Sequence, residues 1–209
     1  YKSSELTAKI TGKMIFKASS PQDYPVIGDW VLITTTDKTQ ATIHTVLPRK
    51  TSLKRKSSHN SSEQLIASNI DIALIIQSPD RDYNLNRIER YIILAESEKI
   101  KPIIILNKID LLSDNELDIK VTEIKKRFKN IKLHLTSIIK EKSIEKFKNN
   151  IKKNLTYCFL GSSGVGKSSL INILLDENLI KTTDISVHSS RGKHTTTHRE
   201  LFLLKNGGI

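Results

Sequence analysis

Residues 161–168, with the sequence Gly-Ser-Ser-Gly-Val-Gly-Lys-Ser, have the spacing of a phosphate-binding loop. Glycines let the backbone wrap closely around phosphate oxygens, and the helix that starts at such a loop adds its positive dipole end. Lys167 is expected to reach the β- and γ-phosphates as a catalytic residue, and Ser168 to bind Mg²⁺. Ser169 either bonds to the α-phosphate or is an ordinary first-turn residue. The predicted phosphate site is Gly161, Ser162, Ser163, Gly164, Val165, Gly166, Lys167, Ser168 and Ser169.

A second motif, Asn107-Lys108-Ile109-Asp110, follows a predicted buried strand and can select the base. The Asp110 carboxylate can accept from guanine N1–H and N2–H₂ together, whereas adenine offers no such donor pair and would leave the carboxylate unpaired. We expect Asn107 to support the loop and reach the base edge, and the Lys108 stem to cover the base face. Together these four residues form the predicted guanine site.

Thr136 and Ser137 stand at the end of the next predicted strand. A backbone N–H at this place could meet guanine O6, which would complete the recognition of the base. The alternative is that the two residues simply end the strand. Ile138 occupies a position at which such sites often carry alanine, so this assignment depends on the other two motifs.

The segment after the predicted phosphate-loop helix, residues 186–200, is polar and basic with little apolar content. It is typical of a mobile loop that becomes ordered around the γ-phosphate and Mg²⁺. One of Thr195, Thr196 and Thr197 should complete the Mg²⁺ shell, and we favour Thr197 as both a metal ligand and a catalytic residue. His188, His194 and His198 lack cysteine or carboxylate partners at zinc-like spacing, so we expect them to face phosphate, RNA or solvent.

From residue 65 to residue 209 the pattern alternates between buried strands and amphipathic helices. Apolar runs at 72–76, 102–106 and 157–160 are typical of strands covered on both faces. Alternating units of this kind predict an α/β P-loop domain with a parallel sheet, whose ligands bind beyond the carboxyl ends of the strands. Both motifs follow such ends.

Residues 1–53 contain short β-rich pieces separated by turn residues, without helical periodicity. This arrangement predicts a small all-β barrel of the OB type, which we expect to be trimmed at its N-terminus. Residues 54–64 are polar, serine-rich and basic, and they are typical of a linker between the two domains.

The chain has 209 residues and a formal net charge of +12, which suggests a polyanionic partner. Twelve lysines and arginines stand against three glutamates in residues 120–153, so this stretch carries +9 of the charge. Either it faces RNA or it forms solvated helix surfaces. Cys158 is the only cysteine, so no disulfide framework is possible, as is usual in a reducing cytosol. No apolar run approaches the ~20 residues of a membrane span.

The order of the two motifs is reversed relative to an ordinary GTPase, because the phosphate loop follows the guanine motif by about fifty residues. The chain is therefore predicted to be a circularly permuted GTPase, in which the base-reading motifs (G4 and G5) precede the phosphate loop (G1) and the first switch (G2). Permutation leaves the site chemistry unchanged but moves the chain ends, so that other domains can attach beside the switch regions.

With these features, the chain resembles the ribosome small-subunit-dependent GTPase A (RsgA) family. The resemblance covers nearly the whole chain and rests on residues 25–31 (Pro-Val-Ile-Gly-Asp-Trp-Val), 69–71, 107–110, 161–169 and 191–197. It implies a cytoplasmic enzyme that hydrolyses GTP to GDP, is stimulated by the small ribosomal subunit and its rRNA, and acts late in the maturation of that subunit. A monomer is the simplest expectation.

The chain departs from the family pattern after Ile209, where the Asp-x-x-Gly motif of switch II and a zinc-binding domain would follow. Zn²⁺ is expected only in that further domain. The given chain is expected to bind GTP and Mg²⁺ but to hydrolyse GTP poorly. Two other functions stay open: a nucleotide-gated RNA-binding module with little turnover, and, less favoured, a GTPase that binds anionic membranes through its basic helices.

Overall fold

The computed structural model describes residues 5–56, 63–80, 83–177, 179–180 and 200–209. The chain divides between Ile70 and Asp71 into two compact units, which are described separately. The predicted switch segment, including Thr195, Thr196, Thr197 and the three histidines, lies outside the described residues, and so its assignment stays a prediction.

The N-terminal unit is mainly β-structure, as the short β-rich pieces predict. Strand β3 is the centre of a three-stranded sheet, with β1 parallel on one side and β2 antiparallel on the other. Strands β4 and β5 form a separate antiparallel pair. The elements are β1 (Thr7–Ile10), α1 (Gly12–Lys17), β2 (Val31–Thr35), β3 (Gln40–Val46), β4 (Ser52–Lys56) and β5 (Glu63–Ser68).

Helix α1 was not predicted, since residues 1–53 show no helical periodicity. The side chain of Thr11 caps the helix by accepting a hydrogen bond from the Met14 N–H at 3.2 Å. The helix has six residues and none of them is buried, so it has no core-facing stripe that a periodicity argument could detect.

The segment predicted as a linker, residues 54–64, overlaps both strands of the β4–β5 pair. Leu53 and Leu65 are buried and anchor one strand each, and the Lys54 ammonium lies 3.5 Å from the Glu63 carboxylate across the pair. The polar composition that favoured a linker therefore belongs partly to the outward faces of two strands. The compact unit continues to Ile70, beyond the predicted boundary.

A buried carboxylate joins distant parts of the N-terminal unit. Both Asp29 oxygens accept hydrogen bonds from Arg49 at 2.8 Å, and the Ser68 hydroxyl donates to Asp29 Oδ1 at 2.5 Å. Burial opposes ionisation of Asp29, but the hydrogen bonds from Arg49, Ser68 and the Val26 N–H outweigh it and lower the pKa of the carboxyl group. An ionised Asp29 therefore holds this unit together at neutral pH.

The C-terminal unit is a four-stranded parallel sheet with helices on both faces, as predicted. The strand order is β8-β7-β6-β9. Ile209 extends the pairing beside β9, because its N–H and C=O bond to Leu155 and Tyr157. The elements are β6 (Ile72–Gln77), α2 (Leu85–Ser97), β7 (Lys101–Leu106), α3 (Asp114–Arg127), β8 (Lys132–Leu135), α4 (Glu141–Asn150), β9 (Tyr157–Leu160) and α5 (Lys167–Leu175).

Two apolar clusters lie on opposite faces of this sheet. On one face, Leu74 and Ile76 pack with Phe147 of α4 and Leu170 of α5. On the other face, Ile75 packs with residues of α2 and α3, including Ile88 and Ile124. Each fully buried side chain of this size contributes about 1.5–3 kcal/mol, so the sheet is a firm platform for the loops at its edge. Within the described ranges, no helix is both long and apolar enough to cross a membrane.

Candidate functional site

The two predicted motifs follow β7 and β9, which flank the central strand β6. Since all strands of this sheet run parallel, their carboxyl ends meet at one edge, and both motifs are delivered there. The site is thus built from segments that are far apart in the chain.

At two positions of the phosphate loop, a neighbouring group lies so close that a side chain would clash with it. A Cβ at Gly161 would lie 2.4 Å from the Ile76 carbonyl oxygen, so only glycine lets the end of β9 pack against β6. Gly166 has a φ of +94°, and a Cβ there would lie 2.3 Å from Asn107 Nδ2. The Gly166 approach brings the phosphate loop directly against the guanine motif.

The Lys167 side chain folds back over the phosphate loop. Its ammonium group donates to the carbonyl oxygens of Gly161 at 3.0 Å and Ser162 at 2.5 Å. An ammonium group has three N–H donors, so one remains for a phosphate oxygen. Burial lowers the pKa of Lys167, and a bound anion would favour the charged form again. The geometry suits the predicted phosphate contact.

The other residues of the phosphate loop divide by their exposure. Ser163 and Gly164 are exposed at the tip, where their backbone is accessible to a ligand. Val165 is fully buried in the apolar cluster of α4 and α5, so its side chain anchors the loop. Ser168 and Ser169 lie half-buried in the first turn of α5. The loop is therefore fixed at one side and open at the other.

Asn107 connects the two motifs. Its side chain is buried, with 1% of the residue exposed, and Nδ2 donates to the Val165 carbonyl at 2.9 Å. Its Oδ1 accepts from the Thr136 hydroxyl at 2.9 Å. The carboxamide is thus engaged at both ends within the protein. Through these contacts Asn107 can support the loop, which is the role expected of it. Thr136 takes part in this support through its side chain.

Lys108 and Ile109 have different roles within the guanine motif. Lys108 adopts the left-handed conformation, with φ +58°, and its ammonium lies 3.3 Å from the Asp80 carboxylate. Ile109 is buried in the apolar cluster of α2 and α3. Lys108 is half-buried and is the more exposed member of the pair, so its stem is accessible to a base, while Ile109 secures the loop to the core.

Asp110 is oriented by Ser137, whose hydroxyl donates to Asp110 Oδ1. The Ser137 N–H donates to the Ser143 hydroxyl at 3.0 Å, so this N–H is engaged inside the protein. The next N–H, that of Ile138, has no acceptor among the described residues. Of the backbone donors in this turn, Ile138 is thus the one available to a guanine O6.

An open groove of about 730 Å³ adjoins these loops between α4 and α5. Ile138 and Ser169 are at its lining; Ile138 belongs to the turn after β8, and Ser169 to the first turn of α5, directly after the phosphate loop. A nucleotide seated at the strand ends would therefore have space on this side.

Sequence reasoning missed two residues that touch the site, Asp80 and Arg87. Asp80 pairs with Lys108, and the Arg87 guanidinium donates to the Ser162 hydroxyl at 2.6 Å. Asp80 lies in the connection after β6, and Arg87 lies in the first turn of α2. Nothing in the local sequence marks them, because a polar residue in such a connection is ordinary and its partner is distant in the chain.

The comparisons with known proteins agree with this geometry. A family profile described as RsgA GTPase matches residues 46–209. The protein named small ribosomal subunit biogenesis GTPase RsgA 1 of Bacteroides thetaiotaomicron is 39% identical over 203 residues, which cover 96% of this chain and 56% of that protein. Its namesake in Listeria innocua is 42% identical over 194 residues, covering 93% of this chain and 54% of that protein. The chain spans about half the length of the curated relatives it matches.

Solved structures show the same fold. YjeQ from Thermotoga maritima superposes with a TM-score of 0.70 at 24% identity, covering 97% of this chain and 64% of that one. YloQ, described as a circularly permuted GTPase, superposes with a TM-score of 0.60 at 21% identity, covering 81% and 55%. The predicted permuted α/β P-loop fold, with a β-rich unit before it, is confirmed.

Proposed function

The chain belongs to the RsgA GTPase family, and from this membership and its site we propose that it binds GTP and hydrolyses it to GDP and phosphate. We further propose that it does so on the small ribosomal subunit, in the cytoplasm, during maturation of that subunit. The observation that carries the proposal is the Asn107 side chain, which bonds at once to Val165 of the phosphate loop and to Thr136. Because Asn107 joins the phosphate loop to the guanine motif, one nucleotide can contact both.

Base selection rests on Asp110. Its carboxylate is set in place by the Ser137 hydroxyl and can accept from guanine N1–H and N2–H₂. The N–H of Ile138 is the donor for guanine O6, and the Lys108 stem covers the base face. Adenine would leave the carboxylate without its donors. The free-energy cost of this unpaired charge makes the site prefer guanine.

Phosphate binding rests on the loop from Gly161 to Ser168. Backbone N–H groups at the exposed tip and the start of α5 face the anion, and the free N–H of Lys167 donates to it. The half-buried Ser168 hydroxyl is an oxygen donor of the kind Mg²⁺ prefers, and Mg²⁺, when bound, neutralises developing phosphate charge. We assign the second hydroxyl ligand to Thr197. The residues thus accelerate hydrolysis by positioning and by charge stabilisation.

The N-terminal unit exposes aromatic and lysine side chains of the kinds that bind RNA. Phe16 of α1 is 91% exposed, and Lys13 and Lys17 flank it on the same short helix. Trp30, which precedes β2, is 68% exposed. Aromatic side chains among lysines bind unstacked bases and phosphates together. These exposed side chains support the proposal that rRNA is the partner, as does the net charge of +12.

The test is GTP turnover by the full-length gene product, measured with and without purified small ribosomal subunits and, as the matched control, with large subunits. We expect stimulation by small subunits only. The Lys167→Met variant should abolish the stimulated rate, which excludes a contaminating GTPase. Equal rates with both subunits, or a rate that survives Lys167→Met, would contradict the proposal.

Turnover, combined with a measurement of binding to the subunits, separates the enzyme from the nucleotide-gated RNA-binding module. The gated module predicts tight guanine-nucleotide binding and a nucleotide-dependent affinity for small subunits, without turnover above background. Binding of the chain to subunits is therefore measured by co-sedimentation in GDP and in a non-hydrolysable GTP analogue. Turnover together with binding identifies the enzyme, and binding alone identifies the module.

A further inference from the structure

Arg87, in the first turn of α2, contacts the phosphate loop through its side chain. Its Nη1 donates a hydrogen bond of 2.6 Å to the hydroxyl of Ser162, a residue 75 positions away in the chain. Asn84 caps this helix and accepts from the Arg87 N–H at 3.1 Å, so the backbone of Arg87 is fixed at the helix start. The contact joins α2 to the second residue of the phosphate loop.

Ser162 is held at a second point by the catalytic lysine. Its carbonyl oxygen accepts from Lys167 Nζ at 2.5 Å, while its hydroxyl accepts from Arg87. A residue bonded at both its side chain and its backbone has little freedom to rotate. The direction of the remaining Lys167 N–H therefore depends on the Ser162 peptide, and the Ser162 peptide depends on Arg87.

The helix that presents Arg87 is itself secured to α3. Arg127 Nη2 donates to Asn86 Oδ1 and Glu89 Oε2, both at 2.7 Å. The Tyr83 hydroxyl donates to Glu123 at 3.1 Å, just before α2 begins. These polar contacts cross between the two helices that cover the same face of the sheet. Arg87 thus approaches the phosphate loop from a supported helix rather than from a loose connection.

We propose that Arg87 is a positioning residue of the phosphate site, which aims Lys167 at the β-phosphate by fixing Ser162. In this role it acts through the hydrogen bonds from Arg87 to Ser162 and from Lys167 to Ser162, rather than through a contact of its own with the reacting atoms. The inference rests on the proposed function, because it assumes that the loop binds a guanine nucleotide.

A set of affinities for GDP and GMP tests the proposal, since GMP lacks the β-phosphate that Lys167 reaches. Arg87→Met keeps the aliphatic stem but loses the donor. We expect it to weaken GDP binding about fivefold, the effect of one hydrogen bond, and to leave GMP binding within about twofold. Arg87→Lys, which keeps a charged donor, should recover part of the GDP affinity. A general loss of structure would weaken both nucleotides alike.

A double-mutant cycle shows whether Arg87 works through the Ser162 hydroxyl. Ser162→Ala should weaken GDP binding as much as Arg87→Met, and the double variant should be no worse than either single variant. Arg90→Met, which removes an exposed arginine from the same helix, is the matched control and should bind both nucleotides normally. Thermal unfolding of each variant shows that it is folded at the assay temperature.

The outcomes separate the inference from the proposed function. If the unsubstituted chain binds GDP and Arg87→Met binds it equally well, the positioning role is wrong while the proposed function stands. Additive losses in the double variant would also overturn it, because Arg87 would then act by another route. If the unsubstituted chain binds no guanine nucleotide, the proposed function fails and the inference fails with it.

Discussion

The guanine motif is held in place by side chains, whereas the phosphate loop presents mainly its backbone to a ligand. Asn107 and Asp110 each bond to a neighbouring hydroxyl, and Asn107 is buried. In the phosphate loop, the exposed tip consists of Ser163 and Gly164, and Val165 anchors it to the apolar cluster. On the proposed assignment, one half of the site reads its ligand through side-chain groups, and the other through backbone N–H groups.

The difference predicts where substitutions act. In the guanine half, a change at Asp110 should alter which base is bound, because the functional group that reads the base changes. In the phosphate half, the side chain at the exposed tip can change with little effect, whereas the glycines that permit the backbone path, the lysine that adds charge and the hydroxyls of Ser162 and Ser168 are the groups whose loss should weaken binding. The predictions below probe this division, beginning with the largest expected effect.

Lys167 is the phosphate-loop side chain whose removal should have the largest effect. Lys167→Met removes the charged donor while keeping the stem, and we expect GDP affinity to fall about 100-fold, since a charged hydrogen bond contributes up to about 3 kcal/mol. Isothermal titration calorimetry measures the change. Lys146→Met, an exposed lysine of α4, is the control and should bind normally. A loss below about threefold would mean that the backbone alone carries phosphate binding.

Gly166 tests the backbone path of the phosphate loop. Gly166→Ala places a Cβ 2.3 Å from Asn107 Nδ2 at a φ of +94°. We expect the loop to shift, GDP affinity to fall about thirtyfold and the melting temperature to drop, because strain of this kind costs about 1–3 kcal/mol. Gly12→Ala is the control, since nothing lies within 4 Å of its added Cβ. Unchanged GDP binding by Gly166→Ala would contradict the close packing of the two loops.

Asn107 tests the bridge between the two halves. Asn107→Ala removes the hydrogen bonds to the Val165 carbonyl and from the Thr136 hydroxyl. We expect unfolding to become easier by about 2 kcal/mol, because two buried polar groups lose their partners. GDP affinity should fall about tenfold while the preference for guanine persists. Urea unfolding and calorimetry measure the two effects, with the exposed Asn149→Ala as control. A lost base preference would assign Asn107 to direct reading of the base.

Cys158 of β9 reports on the strand that carries the phosphate loop, and its effect is the smallest. Burial raises the pKa of Cys158 to about 12, so at pH 8 only about one thiol in 10⁴ is ionised. We expect native protein to resist iodoacetamide at pH 8, and urea-unfolded protein to react at the ordinary rate. Since the thiolate fraction grows with pH, native labelling should rise about tenfold from pH 8 to pH 9. Rapid native labelling would show that β9 opens.

Much of the C-terminal unit could be predicted from local patterns, because buried parallel strands are continuous apolar runs. The runs at 72–76, 102–106 and 157–160 correspond to β6, β7 and β9, and each motif lies just after its strand. Asn84, a residue type that favours the N-cap position, also caps α2. At these positions the local sequence is enough to predict the structure, since the hydrophobic period and the turn residues agree with the final fold.

The rest depends on contacts between residues that are far apart in the chain. Nothing near Asn107 indicates that its carboxamide bonds to Val165, and nothing near Arg87 indicates Ser162, 58 and 75 positions away. Helix α1 was missed because six exposed residues have no periodic stripe. The segment 54–64 was predicted as a linker because its outward polar residues conceal the pairing of β4 with β5.

The most direct test of whether the Asp110 side chain recognises the base is the base preference of the Asp110→Asn variant. An asparagine amide can donate to the xanthine C2 carbonyl, whereas it cannot accept from both guanine donors as a carboxylate does. We predict that Asp110→Asn loses GDP affinity by about 100-fold or more and prefers XDP, with Asp114→Asn, an exposed neighbour, keeping the guanine preference. If Asp110→Asn still prefers GDP over XDP, Asp110 does not read the base and the account of the guanine half is wrong.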